Sequence, residues 1–248
     1  MSDVMLVTGG SRGIGAAVAR LGAAAGYRVC INYRGNRQAA EAVVDEIVAA
    51  GGRAIAVAAD VAEEGEVVRL FECIDRELGP VTALVNNAGI LERQCRVADM
   101  DAARLARILA VNVTGSFLCA REAIRRMSIA QGGTGGAIVN LSSVAARLGA
   151  PHEYVDYAAT KGAIDTFTVG LAKEVADEGI RVNAVRPGII YTDIHASGGE
   201  PERVDHLKDT VPMRRGGQAE EVARAVLWLL SDAASYTTGT CIDVTGGR

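Results

Sequence analysis

Short apolar runs alternate with longer amphipathic segments almost to the end of the chain. The apolar runs are rich in Val and Ile and show little polar alternation, which is typical of strands buried on both faces of a parallel sheet. They span Val4–Thr8, Arg28–Tyr33, Ala54–Ala59, Ala83–Asn86, Ala137–Ser142, Arg181–Arg186 and Thr240–Val244. Helical patterns lie between them, at Gly13–Ala25, Arg37–Ala50, Glu63–Leu78, Asp101–Met127, Asp156–Glu178 and Ala219–Leu230. This alternation predicts an α/β fold with a doubly wound, parallel seven-stranded sheet.

The chain of 248 residues has a length that suits one domain built on such a sheet. No change in composition divides it, so residues 1–248 are predicted to form a single domain. The stretch from Gly188 to Gly217 is too long for an ordinary connection, and we expect it to be a lid over a substrate. Trp228 lies on an apolar stripe of the last predicted helix and is expected in the core.

The charge and composition of the chain exclude several kinds of binding partner. The formal net charge is −4 and no basic stripe is present, so nucleic acid and anionic membranes are not expected partners. The longest uncharged stretch, residues 128–146, is rich in Gly, Ser and Thr and is not expected to span a membrane. The 5 cysteines and 3 histidines lack the spacing of a metal site, which predicts reduced thiols, no metal and a cytoplasmic protein.

A glycine-rich segment, Thr8-Gly9-Gly10-Ser11-Arg12-Gly13-Ile14-Gly15, joins the first predicted strand to the first predicted helix. Glycines allow a tight turn and a close approach to a pyrophosphate, which the free N–H groups of a helix start stabilise. The spacing differs from the common G-x-G-x-x-G pattern, and a tight connection without a ligand is the alternative. The predicted cofactor contacts here are Gly9, Ser11, Arg12, Gly13, Ile14 and Gly15.

The end of the second predicted strand, Ile31-Asn32-Tyr33-Arg34, has no carboxylate for the ribose 2′-hydroxyl of NAD. Arg34 and Arg12 could instead bind a 2′-phosphate through charge-assisted hydrogen bonds. NADP(H) is therefore the expected cofactor and NAD(H) is disfavoured. The alternative is two exposed loop arginines with no ligand.

Three further segments complete a pattern: Asn86-Asn87-Ala88-Gly89 after the fourth strand, Asn112 in the fourth helical region, and Tyr157-Ala158-Ala159-Thr160-Lys161 after Ser142-Ser143. Together with the glycine segment they resemble the short-chain dehydrogenase/reductase family over essentially the whole chain. The resemblance implies a Rossmann-type sheet and NAD(P)-dependent hydride transfer. It also implies a catalytic tetrad of Asn112, Ser143, Tyr157 and Lys161.

The residue types of this tetrad suit the implied reaction. Tyr157 and Lys161 share one face of a helix, and the ammonium is expected to lower the pKa of the phenol so that it can serve as acid or base. The resemblance further implies that Lys161 holds the nicotinamide ribose, that Ser143 binds the substrate oxygen, and that Asn112 holds a water that relays protons. Ser142 is the weaker alternative for the serine, because the loop before Tyr157 is one residue longer than in many relatives.

Other residues are assigned by the resemblance alone. It places Asp60 and Val61 at the adenine, Asn87, Ala88 and Gly89 along the cofactor, and Pro187, Gly188, Ile190 and Thr192 at the carboxamide. A helix cap is the alternative for Asp60. Tyr154 has no lysine four residues on and is not expected to be catalytic. His152 and His195 flank the presumed pocket and are expected to be loop surface rather than catalytic.

The sequence is similar to 3-oxoacyl-carrier-protein reductases and bacterial glucose dehydrogenases, yet it has Thr134 and Glu178 where the former carry basic residues. Arg125 and Arg126 could substitute. The favoured function is a general NADP(H)-dependent oxidoreductase of small-molecule ketones and secondary alcohols; the two similar activities are alternatives, as is a nucleotide-sensing protein without turnover. A homotetramer is expected, built on a stripe of small residues at Ala159, Ala163, Thr166 and Gly170 together with residues 101–127.

Overall fold

The computed structural model describes residues 3–248, and its centre is a sheet of seven parallel strands in the order β3-β2-β1-β4-β5-β6-β7. The predicted α/β fold is confirmed, and the strand ends differ from the predicted ones by one residue at most. The strands are β1 (Val4–Val7), β2 (Arg28–Tyr33), β3 (Arg53–Ala58), β4 (Ala83–Asn86), β5 (Gly136–Leu141), β6 (Ile180–Pro187) and β7 (Cys241–Val244).

Helices cover both faces of the sheet, because the strands are apolar on both sides. The helices are α1 (Gly13–Ala24), α2 (Arg37–Ala49), α3 (Glu64–Glu77), α4 (Ala102–Leu109), α5 (Gly115–Met127), α6 (Ala145–Leu148), α7 (Val155–Glu174), α8 (Ile194–Ser197), α9 (Arg203–Leu207) and α10 (Ala219–Leu230). One buried cluster lies between the sheet and α1, α2 and α10. A second lies between the opposite face and α3, α5 and α7.

The predicted fourth helix is divided. A π-helical turn over Ala110–Thr114 separates α4 from α5, and it carries Asn112 into the interior, where this side chain is 1% exposed. Hydrophobic periodicity does not reveal such a turn, because one extra residue leaves the pattern on either side intact. The turn was therefore not predicted.

The continuous stretch Ala102–Met127 has 26 residues and a mean hydropathy of 1.2 over its most apolar window, so by length and composition it could cross a membrane. Its packing indicates another role. It contacts α3, α7 and β4 as part of one helical layer, and it carries the buried guanidinium of Arg104. We interpret this stretch as a helix pair of the α/β sandwich.

Two further expectations changed. The predicted helix Asp156–Glu178 ends at Glu174, and a separate 3-10 turn covers Ala176–Glu178. Trp228 is not in the core: α10 buries Val222, Val226 and Leu229 on one face and leaves Trp228 43% exposed. Trp228 thus lies outside the face of α10 that packs on the sheet and its helices.

The strand order reverses between β1 and β4, which are adjacent although the chain runs outward from each in opposite directions. In open parallel sheets, ligands bind at the carboxyl ends of the strands at such a reversal, because the loops diverge there and leave a crevice. The glycine turn after β1 and the Asn87 segment after β4 both lie at this point. The fold thus brings the predicted motifs to one edge.

Candidate active site

The glycine turn connects β1 to α1. Gly9 and Gly13 have φ angles of 61° and 53°, a left-handed conformation that residues with side chains rarely adopt. A Cβ on Gly15 would lie 2.5 Å from both the Gly9 carbonyl oxygen and Asn87 Nδ2, so only glycine fits there. The turn therefore presents bare backbone along a concave wall.

Hydrogen bonds connect this turn to the neighbouring strands. Asn87 Nδ2 donates to the carbonyl oxygens of Thr8, at 2.9 Å, and Gly9, at 3.0 Å. The Thr8 hydroxyl oxygen accepts from the backbone N–H groups of Asn87 and Ala88, both at 3.0 Å. On the other side, Asn32 Oδ1 accepts from the Gly9 N–H at 3.3 Å. The sequence analysis assigned no role to Thr8 or Asn32, although a polar residue in an apolar strand could have indicated one.

A cleft of about 520 Å³ runs along the turn, and we call it the glycine cleft. The predicted cofactor residues that line it are Gly9, Ser11, Arg12, Gly13, Ile14, Arg34, Asp60, Val61, Asn87, Ala88, Gly89 and Thr192. Gly15 does not line the cleft and is buried beneath the turn. Lining residues that the sequence analysis missed are Tyr33, Gly35, Asn36, Ala59, Ile90, Val111, Asp193 and Ile194, each within two residues of a predicted one.

Two guanidinium groups lie at this cleft. Arg34 Nε is 3.5 Å from a carboxylate oxygen of Asp60. Asp60 does not cap α3, which begins after Glu63; its Oδ1 accepts instead from the Ala62 N–H at 3.0 Å. Arg12 is exposed, and it forms no ion pair within residues 3–248. The cleft is thus lined by two guanidinium groups and by the carboxylates of Asp60 and Asp193, and Arg34 is the guanidinium that lies near Asp60.

The glycine cleft fits a nicotinamide dinucleotide. A Cβ at Gly9 would lie 3.0 Å from Ala88 Cα, and a Cβ at Gly13 would lie 3.3 Å from Thr192 Cγ2 across the cleft. Side chains at these positions would fill the space that a pyrophosphate needs. Bare backbone at a helix start and nearby guanidinium groups are the features that bind phosphate groups.

A second cleft, of about 330 Å³, opens beside the first, and we call it the tyrosine cleft. Ser143, Tyr157 and Lys161 lie in its wall. The predicted carboxamide residues Pro187, Gly188 and Ile190 line it too, and Thr192 lines both clefts. The two clefts are continuous, because they share the lining residues Ile14, Asn87, Gly89, Thr192 and Ile194.

Tyr157 and Lys161 lie one turn apart on α7. Lys161 Nζ is 5.5 Å from the centre of the tyrosine ring and donates to the Leu141 carbonyl oxygen at 2.6 Å. Burial raises the pKa of Tyr157 to about 12, and the hydrogen bond with Ser143 acts in the opposite direction. Burial also lowers the pKa of Lys161 to about 8, opposed by Asp165.

The expectation that the ammonium lowers the pKa of the phenol is therefore wrong in this structure. Desolvation of the phenol outweighs the hydrogen bond from Ser143, and Lys161 makes its own hydrogen bond to the backbone at Leu141. At neutral pH the phenol is protonated. A protonated phenol in the wall of a cleft is able to donate a proton to a carbonyl oxygen.

Asn112 lies behind the tyrosine cleft. Its Oδ1 accepts from the Ile90 N–H at 2.8 Å, and its Nδ2 donates to the Ile90 carbonyl oxygen at 3.0 Å and to Thr160 Oγ1 at 3.2 Å. A Cβ on Gly89 would lie 3.5 Å from Asn112 Oδ1 and 3.8 Å from Lys161 Nζ. Asn112 thus connects the segment after β4 to the helix that carries Tyr157.

The two adjacent serines differ in their contacts. Ser142 is buried, and its hydroxyl donates to the Lys161 carbonyl oxygen at 3.1 Å. The Ser143 hydroxyl oxygen accepts from the Ala145 N–H at 3.1 Å, and its hydroxyl group is hydrogen-bonded to Tyr157. Both serines line the tyrosine cleft, and Ser143 is the one that contacts the Tyr157 phenol.

Tyr154 lines the tyrosine cleft but has its own partners there, whereas His152 does not line it. The Arg203 guanidinium carbon lies 5.1 Å from the centre of the Tyr154 ring, and the Tyr154 hydroxyl donates to the Gly198 carbonyl oxygen at 3.5 Å. Burial raises the pKa of Tyr154. His152 is exposed, as expected of a loop residue.

His195 flanks the substrate pocket, since it lies on the short helix α8 in the wall of the tyrosine cleft. Its Nε2 is 3.0 Å from the Ile190 carbonyl oxygen, which can only accept, so Nε2 carries the hydrogen. Nδ1 is then an acceptor, and it is buried without a partner in the part of the chain that the structure describes. Burial lowers the pKa of His195, which keeps the ring neutral at neutral pH.

The segment from Gly188 to Gly217 forms one wall of the tyrosine cleft. Its ends are joined, because the Gly217 N–H donates to the Ile189 carbonyl oxygen at 2.9 Å and the Tyr191 N–H donates to the Gly217 carbonyl oxygen at 3.0 Å. Between these ends it contains α8, α9 and a 3-10 turn over Lys208–Thr210. The segment is therefore a closed loop with short helices, and its action as a lid stays a prediction.

A dinucleotide cleft that is continuous with a Ser–Tyr–Lys wall is the site of a nicotinamide-dependent oxidoreductase. Comparison with known proteins agrees. The family described as enoyl-(acyl carrier protein) reductase matches residues 9–248. The chain belongs to the short-chain dehydrogenase/reductase family and is an NAD(P)-dependent oxidoreductase.

Relatives in sequence and structure cover the whole chain. The chain is 61% identical over 245 residues to the uncharacterized oxidoreductase YgfF of Escherichia coli, with 99% of both chains covered. It is 41% identical over 247 residues to the 3-oxoacyl-(acyl-carrier-protein) reductase of Synechocystis sp., with 99% of this chain and 96% of that one covered. A mutant of the Serratia marcescens short-chain dehydrogenase/reductase superposes with a TM-score of 0.91 at 33% identity, covering 99% of this chain and 97% of that chain.

Proposed function

We propose that this enzyme reduces small-molecule ketones with NADPH, and oxidises the corresponding secondary alcohols in reverse, with Tyr157 as the proton donor and acceptor. The observation that carries the proposal is that Ser143, Tyr157 and Lys161 line one wall of the tyrosine cleft, which is continuous with the glycine cleft. A carbonyl oxygen within reach of both hydroxyls is oriented and supplied with a proton at once. The bound nicotinamide supplies the hydride.

The remaining site residues support this proton transfer. Lys161 is expected to hold the nicotinamide ribose, because its Nζ lies beside the Gly89 backbone that both clefts share. The hydrogen bonds of Asn112 use both of its amide hydrogens, but Oδ1 keeps a lone pair that can accept from a water. We therefore retain Asn112 as the residue that holds a relay water.

Cofactor choice follows from charge at the glycine cleft. Arg12 and Arg34 offer two guanidinium groups to a 2′-phosphate, and Asp60 neutralises only one of them, at 3.5 Å. The acidic residue that would hold a 2′-hydroxyl is missing from the end of β2, where the buried Asn32 binds the glycine turn instead. NADP(H) is the cofactor that these groups favour.

A carrier-protein substrate is the second candidate, favoured by the name of the Synechocystis relative. The surface of this chain gives it less support. Arg125 and Arg126, the cations that could have met an acidic carrier, pair with Glu122 at 2.8 Å and 3.1 Å, and Arg126 also pairs with Asp75. Paired arginines attract an acidic partner weakly.

The enzyme is expected to be a cytoplasmic homotetramer. Phe117 on α5 is 48% exposed and stacks on Phe167 of α7 with ring centres 3.8 Å apart. Gly162 and Gly170 on α7 have nothing within 4 Å of where a Cβ would stand, as expected for a face that another helix can approach. An exposed apolar surface of this kind favours subunit contact.

A panel of carbonyl compounds tests the proposed function. Purified enzyme at catalytic concentration is mixed with NADPH and, in turn, with linear ketones, cyclic ketones, aldoses and 3-oxoacyl thioesters, and the loss of NADPH absorbance is followed. We expect turnover on ketones without any carrier protein. Turnover that requires the carrier-bound thioester would favour the second candidate, and no turnover on any carbonyl would contradict both.

A further inference from the structure

The ammonium of Lys161 is buried, and the groups packed closest to it carry no charge at neutral pH. Its Nζ donates to the carbonyl oxygen of Leu141, at the end of β5, at 2.6 Å. The segment after β4 faces it with the Gly89 backbone, where a Cβ would lie 3.8 Å from Nζ and 3.5 Å from Asn112 Oδ1. On its own helix the Tyr157 ring centre is 5.5 Å away, and burial keeps that phenol protonated. These groups do not supply the negative charge that a buried ammonium needs.

Asp165 supplies that charge from the same helix. It follows Lys161 by four residues, so the two side chains leave one face of α7 about one turn apart. The side chain of Asp165 is 17% exposed, so water screens its charge only in part. Burial lowers the pKa of Lys161 to about 8, and among the described residues the charge of Asp165 is the one that opposes this shift. Asp156, the other carboxylate in this part of α7, is paired with Arg104.

A chain of ion pairs holds Asp165 in place. Arg186, on β6, donates from Nε to Asp165 Oδ2 at 3.0 Å and from Nη1 to Asp243 Oδ1, on β7, at 3.2 Å. Asp243 also pairs with Arg147 of α6. The Cys241 thiol donates to Asp165 Oδ1 at 3.8 Å, and its pKa is raised by burial and by this carboxylate, so it stays neutral. Four charges of alternating sign thus lead from α6 across the edge of the sheet to α7.

We propose that Asp165 is a positioning residue that keeps Lys161 charged at neutral pH, and that Arg186 limits the strength of its field. The inference rests on the proposed function, in which Lys161 holds the nicotinamide ribose. Neither Asp165 nor Arg186 lines the glycine cleft or the tyrosine cleft, so both act through Lys161. The ion pair would then set the highest pH at which the enzyme holds NADPH well.

The first test follows NADPH affinity by fluorescence titration between about pH 6 and about pH 10. In Asp165→Asn the midpoint of the pH dependence should move down by about one unit, because a nearby opposite charge has been removed. At pH 8 the affinity should be ~5-fold weaker, since the charged fraction of Lys161 falls from about a half to about a tenth. Asp165→Glu keeps the charge and should keep the midpoint close to that of the unmodified enzyme.

Arg186→Met supplies the contrast. It removes the counter-charge of Asp165, so Lys161 should stay charged to higher pH and the midpoint should move up. Arg186→Gln, which also lacks the charge, repeats the test with a polar side chain. If the ion pair served only to hold α7 in place, breaking it from either side would change the affinity in the same way. Midpoints that move in opposite directions are therefore the expected result, and midpoints that move together would overturn the inference.

Glu174→Gln is the matched control. Glu174 is an exposed carboxylate on α7, 13 residues after Lys161 and so roughly three and a half turns away. Its replacement removes the same charge as Asp165→Asn, and solvent and salt screen it at that distance, so the midpoint should not move. Equal shifts in the two variants would reflect net charge rather than position, and they would contradict the role of Asp165.

Nuclear magnetic resonance separates this inference from the proposed function. The chain has three lysines, Lys161, Lys173 and Lys208, so labelling lysine Cε with carbon-13 gives three signals, and Lys161→Arg identifies the one that matters. In the enzyme without cofactor, the titration midpoint of Lys161 should move down in Asp165→Asn and up in Arg186→Met. Unmoved midpoints would overturn the inference. Moved midpoints together with an NADPH affinity that is flat with pH would support it, and would contradict the part of Lys161 in the proposed function.

Discussion

Asp156 and Arg104 form a buried ion pair directly beside the tyrosine of the active site. Arg104 Nε donates to Asp156 Oδ2 at 2.7 Å, and the two side chains are 10% and 1% exposed. The other carboxylate oxygen of Asp156 accepts from the Tyr157 N–H at 2.9 Å. The pair therefore connects α4 to the first turn of α7, and through it to the backbone of Tyr157.

Breaking this pair should be costly. Arg104→Met leaves the Asp156 carboxylate buried without its cation, and we expect the free energy of unfolding to fall by about 3–5 kcal/mol. Urea unfolding of both proteins measures the change. The control is Arg107→Met on the same helix, whose partner Glu92 lies at the surface; it should change stability by about 0–1 kcal/mol. Equal effects of the two substitutions would contradict this account.

The second prediction compares two tyrosines three residues apart. Tyr157→Phe keeps the ring but removes the phenol that donates the proton, so kcat should fall by ~10²–10⁴-fold while NADPH affinity changes little. Tyr154→Phe removes hydrogen bonds to the Gly198 carbonyl oxygen and the Gln94 side chain, and because no lysine lies one turn further on, its kcat should stay close to that of the unmodified enzyme. Steady-state kinetics with one ketone give the kcat values of the two variants and of the unmodified enzyme. If Tyr157→Phe keeps more than a third of the turnover, roughly within threefold of normal, another residue supplies the proton.

The third prediction concerns the cofactor. The enzyme should prefer NADP(H) over NAD(H) by at least ~10-fold, about 1.4 kcal/mol. Arg34→Asp should abolish or reverse the preference, because it places a carboxylate where the 2′-phosphate would lie. Arg37→Asp is the control, since Arg37 is exposed, pairs with Glu41 and does not line the glycine cleft. Equal affinities of the unmodified enzyme for both cofactors would refute the assignment.

The fourth prediction is a pH dependence. The lysine that is expected to hold the nicotinamide ribose has its pKa lowered by burial from 10.5 to about 8, so Lys161 loses its charge as the pH rises through that value. NADPH affinity should therefore weaken above pH ~8. Fluorescence titration at several pH values measures it without turnover. Lys161→Arg should remove the dependence, because a guanidinium keeps its charge.

Lys173→Arg is the matched control for this titration. Lys173 is exposed near the end of the same helix, and its replacement should leave the pH dependence of NADPH binding as it is in the unmodified enzyme. Affinity that is flat between pH 7 and pH 10, roughly one unit below to two units above the lowered pKa, would show that Lys161 carries no charge toward the cofactor.

The fifth prediction concerns assembly. Phe117→Asp puts a charge on the exposed apolar face of α5 and α7, and we expect it to dissociate the tetramer into smaller species. Val48→Asp on α2, where the side chain is also about half exposed, should leave the assembly intact. Light scattering after size-exclusion chromatography gives the masses. A 25.8 kDa species for the unmodified enzyme at micromolar concentration would exclude the tetramer.

The elements that were predicted from the sequence are those with a strong local signal. The unalternating apolar runs identified all seven strands, because a strand covered on both faces has no polar side to obscure it. The glycine turn was predicted because its residues are required by backbone geometry, as the crowding around Gly15 shows. The glycine motif could thus be recognised from the same short stretch of chain that forms the turn between β1 and α1.

What was missed depends on contacts between distant segments. The direction of the pKa shift of Tyr157 is set by burial in a cleft whose lining comes from several parts of the chain, which no local spacing reveals. The hydrogen bond of His195 to the Ile190 carbonyl oxygen likewise depends on how residues 188–217 fold back on themselves. Trp228 was misplaced because an apolar stripe does not show how far the neighbouring elements extend over it.

The position of Asn112 depends on the number of residues in the π-helical turn at Ala110–Thr114 as well as on their identity. A π-turn closes its hydrogen bonds over one residue more than an α-turn does. Deleting a single residue of this turn would let ordinary helical winding replace it, with α4 and α5 close to their present orientation, so the ion pair between Arg104 and Asp156 should survive. Asn112 would lose the widened turn that carries it to Ile90 and Thr160. A shortened turn would therefore damage the active site while leaving the ion pair in place.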